Sequence, residues 1–189
     1  MPRAGLDREQ VVRAAADIAD DEGLDAVTLA RVAAQLGVKS PSLYNHVEGR
    51  DGLVRGIALL GLGELAAALR EAAVGRSGLD GLLAASGAYR TFVKDHPGRY
   101  TAGAVTASAA GDAEHEAAAA DVVVVLQGVL RAWDLSGDDE IHALRAFRSA
   151  VHGFATLEAA GGFGLDLDVD TSFTRLISAL AAGLEVDHA

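Results

Sequence analysis

Apolar residues at the start of the chain recur every three or four positions, which is the spacing of one face of a helix. This spacing predicts a first helix that is capped by Asp7 and ends at Gly23. It also predicts a second helix that is capped by Thr28 and ends at Gly37. Glycine suits that end because it adopts, at little cost, the left-handed conformation that closes many helices.

A third, short helix is predicted directly after this turn. Ser40 is the expected cap, with Pro41 at the first helical position, where a missing N–H costs nothing. Leu43 and Val47 lie one turn apart and should face inward, which turns Pro41 and Asn45 away from the core. From the rise per residue this helix is only about 10 Å long.

The rest of the chain continues the helical pattern. Helices are predicted at about 51–74, 79–93, 98–105, 114–133, 138–160 and 171–185, with a loop at about 106–112. Residues 122–125 alone are typical of a strand, but they continue a helical face with Leu126 and Trp133. Asp170 is the expected cap of the last helix. The pattern predicts an all-α fold of about nine helices.

The composition agrees with helix rather than sheet. Half of the residues are apolar, aromatic residues make up 5%, and the chain has only three prolines. It has no cysteine, which excludes disulfides and thiolate chemistry. A chain of 189 residues suits one or two domains and can bury a substantial core.

Acidic residues exceed basic ones, and the formal net charge is −11. This balance argues against a protein that coats nucleic acid indiscriminately, because bulk affinity comes from neutralised phosphates. Residues 30–55 differ from the remainder: they hold four basic residues against two acidic ones, whereas residues 56–189 hold nine against eighteen. This asymmetry allows a small DNA-binding surface near the N-terminus.

The apolar runs are short. The longest, at about 56–63 and 122–126, are far below the roughly 20 residues of a membrane span. The N-terminal residues form no hydrophobic signal segment. We therefore expect a soluble cytoplasmic protein without a membrane partner.

Three short helices, the last two joined by a tight glycine turn, are typical of a helix-turn-helix. Side chains on the outer side of the third helix can reach base edges, while helix N-termini and cations suit phosphates. The residues predicted to contact DNA are Thr28, Lys39, Ser40, Pro41, Ser42, Tyr44, Asn45, His46 and Arg50. The alternative is a purely structural subdomain, but such a short helix would need more than Leu43 and Val47 to hold it.

This region resembles the DNA-binding domain of the tetracycline-repressor (TetR) family of bacterial transcription regulators. The matching residues are Gly23, Val27-Thr28-Leu29, Leu36-Gly37-Val38, Ser42-Leu43-Tyr44-Asn45-His46-Val47, Arg50 and Leu53. Two positions depart from the family pattern. Val47 stands where phenylalanine is usual but still fills core, and Arg50 replaces the usual lysine and keeps its charge.

The resemblance implies a helix-turn-helix domain at 1–52 and a helical ligand-binding and dimerisation domain at 53–189. It implies a homodimer that places its two third helices in successive major grooves of a palindromic operator of double-stranded DNA, about 34–36 Å apart or a multiple of it. It also implies a repressor that is released when an unidentified small-molecule effector fills the C-terminal domain.

Within the C-terminal domain, residues 148–158 and 161–163 are similar to a subgroup named for a Trp-His-Gly motif. His152-Gly153 fits this motif, although Val151 provides no tryptophan. A polar stripe at helical spacing consists of His142, Arg145, Ser149, His152 and Thr156. This stripe either lines a ligand pocket or forms a solvated or subunit-contacting face.

Two further sets of residues are candidates for function in this domain. The candidate ligand pocket consists of Tyr89, Phe92, Trp133, Phe147 and His152. The candidate dimer interface consists of Leu144, Val151, Phe154, Phe173, Ile177, Leu180 and Leu184. The resemblance favours pairing of the last two helices with their copies, and the alternative is that these residues complete the core of each monomer.

No catalytic residue, metal site or cofactor is predicted. His142 and His152 are ten positions apart, which misses the one-turn spacing of paired metal ligands. Residues 166–170 lack the glycine and the terminal glutamate of a calcium loop. A small all-α enzyme or ligand carrier would need groups that this sequence does not offer, whereas a ligand-independent or activating DNA-binding regulator is an alternative that the same helix-turn-helix permits.

Overall fold

A computed structural model of the chain describes residues 6–106 and 111–186. Its helices are α1 (Arg8–Glu22), α2 (Leu29–Leu36), α3 (Ser40–Leu43), α4 (Gly49–Ala73), α5 (Gly78–Asp95), α6 (Pro97–Thr106), α7 (Ala113–Leu130), α8 (Asp138–Ala159) and α9 (Val169–Val186). Single 3-10 turns cover Leu24–Ala26 and Arg131–Trp133. The described ranges contain no strand, and the predicted all-α fold is confirmed. Residues 107–110 of the predicted loop lie outside the described residues.

Local capping explains where the first two helices begin. The Asp7 carboxylate accepts from the Gln10 N–H at 2.8 Å, and the Gln10 side chain accepts from the Asp7 N–H at 3.1 Å. The Thr28 hydroxyl oxygen accepts from the Arg31 N–H at 3.1 Å. Both predicted caps are confirmed.

Two other predicted caps are wrong. Ser40 is already the first helical residue of α3, and Lys39 occupies the cap position without a side-chain hydrogen bond. At α9, Asp168 caps the helix by accepting from the Thr171 N–H at 2.8 Å. Asp170 lies inside the first turn and pairs with Arg90 instead.

Internal packing divides the chain into two compact units. One comprises Met1–Glu64 and Asp95–Ala119, and the other comprises Leu65–Lys94 and Ala120–Ala189. The predicted boundary at residue 52 separates a DNA-binding part from a ligand-binding part, and that functional division stays a prediction.

In the first unit, α1 packs against α2 and α6, and α2 packs against α3. Val11, Ile18, Val32, Leu43 and Leu53 are buried in its core. The start of α6 approaches the end of α1 so closely that a side chain at residue 98 would collide with α1 backbone.

The second unit has its own core, and within it α8 packs on α9. Leu82, Phe147, Val151 and Ile177 are fully buried there. Tyr89 meets Phe147 edge to face, with ring centroids 6.4 Å apart. These residues come from α5, α8 and α9.

Helix α4 is long and apolar enough to cross a membrane by length and composition, which the sequence analysis did not expect. Half of its most apolar stretch is nevertheless buried inside the protein. Leu53, Ile57 and Leu69 have no exposed surface. Core helices of soluble proteins pass the same test, so this finding is weak evidence for a membrane span.

Candidate nucleic-acid interface

A three-residue turn joins α2 to α3. Gly37 adopts the left-handed conformation, with φ of 66°. The Val38 N–H donates to the Ala33 carbonyl at 3.0 Å, and the Gly37 N–H donates to the Ala34 carbonyl at 3.3 Å. These bonds satisfy carbonyls that α2 leaves unpaired, so they fix the direction in which the chain leaves α2.

Helix α3 is shorter than the sequence predicts, but its helical hydrogen bonding continues beyond Leu43. The Val47 N–H donates to the Leu43 carbonyl at 3.0 Å. Leu43 is fully buried and Val47 is 5% exposed, as predicted. Two buried residues one turn apart therefore anchor this segment and leave its other side in solvent.

Among the predicted DNA contacts, Tyr44, Asn45 and His46 line one cleft, and Arg50 bonds to the carbonyl of Val27, next to Thr28. The exposed ones are Thr28, Lys39, Pro41, Tyr44, Asn45 and Arg50, and the half-buried ones are Ser40, Ser42 and His46. Tyr44 has 63% of its surface exposed, which is unusual for an aromatic residue of a folded domain. The Ser42 hydroxyl donates to the Lys39 carbonyl at 2.5 Å, which leaves its lone pairs as acceptors.

Arg50 is engaged within the chain. Its Nε donates to the Val27 carbonyl at 3.2 Å and its Nη2 to the Leu24 carbonyl at 3.1 Å. The Asp25 carboxylate lies 3.7 Å from Nη2. These contacts join the start of α4 to the turn that precedes α2, whereas the sequence analysis assigned Arg50 only a phosphate contact.

An open cleft of about 460 Å³, here called the α3 cleft, adjoins these residues. It is lined by Arg8, Tyr44, Asn45, His46, Glu48 and Arg55, together with Val47 and Gly52. The sequence pattern does not predict Arg8 and Arg55 as site residues, because both lie outside the helix-turn-helix. The charge of Arg8 next to an exposed helix start was the available signal.

Arg55 is neutralised by carboxylates of its own unit. Its Nε lies 2.5 Å from Asp112 Oδ2, its Nη2 lies 2.8 Å from Asp112 Oδ1, and Glu114 lies 2.7 Å from the same nitrogen. These hydrogen bonds hold the pKa of Asp112 well below its usual range and raise the pKa of Arg55. The α3 cleft thus contains one paired arginine, Arg55.

The structure separates the candidate pocket residues. Tyr89, Phe92, Trp133 and Phe147 are buried in the second unit. His152 lies on the exposed face of α8, as do the other residues of the polar stripe. A ligand pocket formed by all five residues stays a prediction.

The candidate dimer residues also fall into two groups. Val151, Phe173, Ile177 and Leu184 are buried within the chain and contribute to its own core. The half-buried residues are Leu144, Phe154 and Leu180. Only this second group has appreciable surface to offer a partner, and its role in dimerisation stays a prediction.

The segment that follows His152-Gly153 contacts Arg90 of α5, which the sequence pattern does not identify as a site residue. Arg90 has a side chain only 12% exposed, and its Nε and Nη2 lie 2.6 and 2.7 Å from the two carboxylate oxygens of Glu158. Its guanidinium carbon lies 5.5 Å from the Phe154 ring centroid and 4.9 Å from that of Phe173. The Phe163 ring packs on the Phe154 ring, with ring centroids 4.7 Å apart. These contacts join α5, α8, α9 and the loop between the last two.

Within the described parts of the chain, no cluster of three or more histidine, aspartate or glutamate side chains could hold a metal ion. Exposed amide, hydroxyl and aromatic groups beside a helix start are suited to base edges and phosphates.

Two family models match the sequence. The model of bacterial regulatory proteins of the tetR family matches residues 11–57, and a tetracyclin repressor-like C-terminal domain matches residues 82–180. The second match alone covers more than half of the chain. It includes His152-Gly153, while assignment to the Trp-His-Gly subgroup stays a prediction.

Individual proteins show the same similarity. The uncharacterized HTH-type transcriptional regulator Rv0681 of Mycobacterium tuberculosis is 37% identical over 182 residues, which cover 96% of this chain and 83% of that protein. The uncharacterized HTH-type transcriptional regulator YobS of Bacillus subtilis is 32% identical over 188 residues, covering 99% and 97%. The crystal structure of a TetR variant from Acinetobacter baumannii AYE in complex with minocycline has a TM-score of 0.73 at 21% identity, covering 98% and 99%. This last likeness is one of fold.

Proposed function

Because the chain belongs to the tetracycline-repressor family of transcription regulators, and is a DNA-binding regulator rather than an enzyme, we propose that it is a homodimeric repressor. In this proposal it binds a palindromic operator in the cytoplasm, and a small-molecule effector releases it. The observation that carries the proposal is the exposed surface of α3.

The surface of α3 has the properties that base recognition requires. Leu43 and Val47 fix the helix on the core, while Pro41, Tyr44 and Asn45 face solvent. An asparagine side chain can make two hydrogen bonds to adenine in the major groove, and apolar groups can contact a thymine methyl. Because Leu43 and Val47 already order the backbone of this segment, only the exposed side chains have to be immobilised on binding, which favours a specific contact.

Dimerisation follows from the geometry of helix-turn-helix recognition. A palindromic site needs two α3 helices related by a two-fold axis, and one chain supplies one. The exposed stripe from His142 to Thr156 on α8 and the half-buried Leu144 and Leu180 support pairing through α8 and α9. This assignment takes the polar stripe as a subunit-contacting face and the half-buried apolar residues as part of the dimer interface.

The minocycline bound to the Acinetobacter baumannii protein supports an effector site in a relative of the same fold. In this chain the proposed site draws on the aromatic residues of the second unit, among them Tyr89, Trp133 and Phe147. Release requires a coupling free energy of only about 1–3 kcal/mol between effector and operator binding. Binding of effector to a conformation with altered α3 spacing would supply that coupling.

An operator selection tests this function. The purified full-length protein is mixed with genomic fragments of its source organism, and bound fragments are recovered, sequenced and confirmed by gel retardation. We expect a short palindromic sequence that Asn45→Ala binds more weakly without a loss of thermal stability. Thr101→Ala, on the exposed side of α6, is a matched uncharged variant outside the proposed contacts. Retardation of all fragments alike, or of none, would contradict the proposed function.

A further inference from the structure

Most of the described arginine and lysine side chains of the first unit already have hydrogen-bond or ion-pair partners within it. Five arginines donate to carboxylates or backbone carbonyls, namely Arg13, Arg31, Arg50, Arg55 and Arg99. Arg8 and Lys39 have no such partner among the described residues, and both are exposed. A cation with neither a carboxylate nor a carbonyl partner gives up no contact when it binds a phosphate, so Arg8 and Lys39 are the described cations of this unit most available to DNA.

Arg8 and Lys39 stand at different places on the surface. Lys39 precedes α3, where a phosphate contact is already predicted. Arg8 is the first residue of α1 and lies far from α3 in the sequence, yet it lines the same α3 cleft as Tyr44, Asn45 and His46. The fold therefore brings a cation that has no partner among the described residues to the edge of the proposed base-contacting surface.

The position of Arg8 within its helix is unfavourable for stability. A cation in the first turn opposes the positive end of the helix dipole. Asp7 and Glu9 offset part of this effect, but Asp7 is committed to the Gln10 N–H and Glu9 to Arg13. A bound anion near the start of α1 would pair with Arg8 and offset its unfavourable position in the helix.

We propose that Arg8 binds a DNA phosphate across the α3 cleft, so that the DNA-binding surface extends to the start of α1. This inference rests on the proposed function and adds a residue that neither motif nor resemblance supplied. The planar guanidinium suits a phosphate because it can donate two parallel hydrogen bonds. Arg55 faces the same cleft but remains bound to Asp112 and Glu114.

The salt dependence of operator binding tests this proposal. Each neutralised phosphate contributes about −0.9 to the slope of log K against log salt concentration. We expect Arg8→Gln to reduce the magnitude of this slope by about 0.9 and to weaken binding on the order of tenfold at low salt. Measurements over about 50–200 mM salt by fluorescence anisotropy give both quantities.

Arg13→Gln is the matched control, because Arg13 lies on the same helix, is exposed, and is paired with Glu9 outside the α3 cleft. It should keep the wild-type slope. Thermal unfolding of all three proteins shows whether the variants fold alike. A wild-type slope for Arg8→Gln would overturn the inference while leaving the proposed function intact, whereas a wild-type protein that prefers no sequence would overturn the proposed function itself.

Discussion

Arg55 and Asp112 form a two-point ion pair, in which Nε lies 2.5 Å from Oδ2 and Nη2 lies 2.8 Å from Oδ1. Asp112 Oδ1 also accepts from the His115 N–H at 3.1 Å, so the same carboxylate caps α7. Arg55 lies on α4, the helix that follows the proposed DNA-contacting segment. One side chain thus ties the start of α7 to α4.

We expect Asp112→Asn to destabilise the protein. Asparagine can still cap α7, but it removes the charge that pairs with Arg55. Chemical denaturation measures the loss as a lower midpoint. Glu114→Gln removes the other carboxylate partner of Arg55. The Glu114 side chain is 62% exposed, against 19% for Asp112. Because solvent screens an exposed ion pair more strongly, this variant should lose clearly less stability. Equal losses would contradict the assigned role of Asp112.

Gly98→Ala should be strongly destabilising. A Cβ at this position would lie 2.1 Å from the Ala19 carbonyl carbon and 2.5 Å from the Asp20 nitrogen. Both atoms are backbone, so α6 would have to move away from α1, with an expected cost of about 2–3 kcal/mol or more. Urea denaturation measures this change.

Gly103→Ala is the control on the same helix. Its Cβ would meet only the Leu62 side chain, at 3.8 Å, which is an ordinary van der Waals contact. Because alanine favours helix over glycine, this variant should gain about 0.5–1 kcal/mol. Similar effects of the two substitutions would show that α1 and α6 do not approach as described.

The pair of Arg90 and Glu158 should make stability depend on pH in acid. Hydrogen bonds from Arg90 lower the pKa of Glu158 from its ordinary value of 4.5 to about 2. A group with a lower pKa in the folded state stabilises the protein above its unfolded pKa. This contribution should therefore be complete above about pH 4.5 and disappear as the pH falls towards 2.

Denaturation at a series of pH values measures this contribution, and Glu158→Gln provides the comparison. The variant should lose about 2 kcal/mol at neutral pH, because Arg90 is left with the exposed Asp170 and two aromatic rings. Its stability should also fall less steeply below pH 4.5. If the stability of the variant fell with pH as steeply as that of the wild type, carboxylates other than Glu158 would cause the loss of stability in acid.

Sequence patterns predict the helices well where their ends depend on neighbouring residues. The caps at Asp7 and Thr28 and the turn at Gly37 are local, and the structure has them as predicted. The predicted cap of α9 is wrong because Asp168 and Asp170 are equally suitable as caps in the sequence. Arg90, 80 positions away, binds Asp170 and so distinguishes them.

The functional residues follow the same division. The exposed face of α3 follows from the spacing of Leu43 and Val47, which any short amphipathic helix would show. The pairing of Arg55 with Asp112 spans 57 positions and has no local signal. Apolar residues of α8 and α9 are equally suited in sequence to a monomer core and a dimer interface, so the burial of Val151 and Ile177 within the chain has no local signal either.

Arg50 allows two functions to be separated. A phosphate contact needs only its charge, whereas the bonds to the Leu24 and Val27 carbonyls need a fork of two N–H donors. Those bonds position the start of α2, and with it Thr28, relative to α4. Arg50→Lys keeps the charge and loses the fork, so a positioning role predicts roughly tenfold weaker operator binding at an unchanged salt slope. Under a positioning role, Arg50→Gln should bind the operator as weakly as Arg50→Lys and with the same salt slope. A phosphate contact predicts the opposite: the lysine variant binds like the wild type, and only the glutamine variant lowers the slope, by about 0.9.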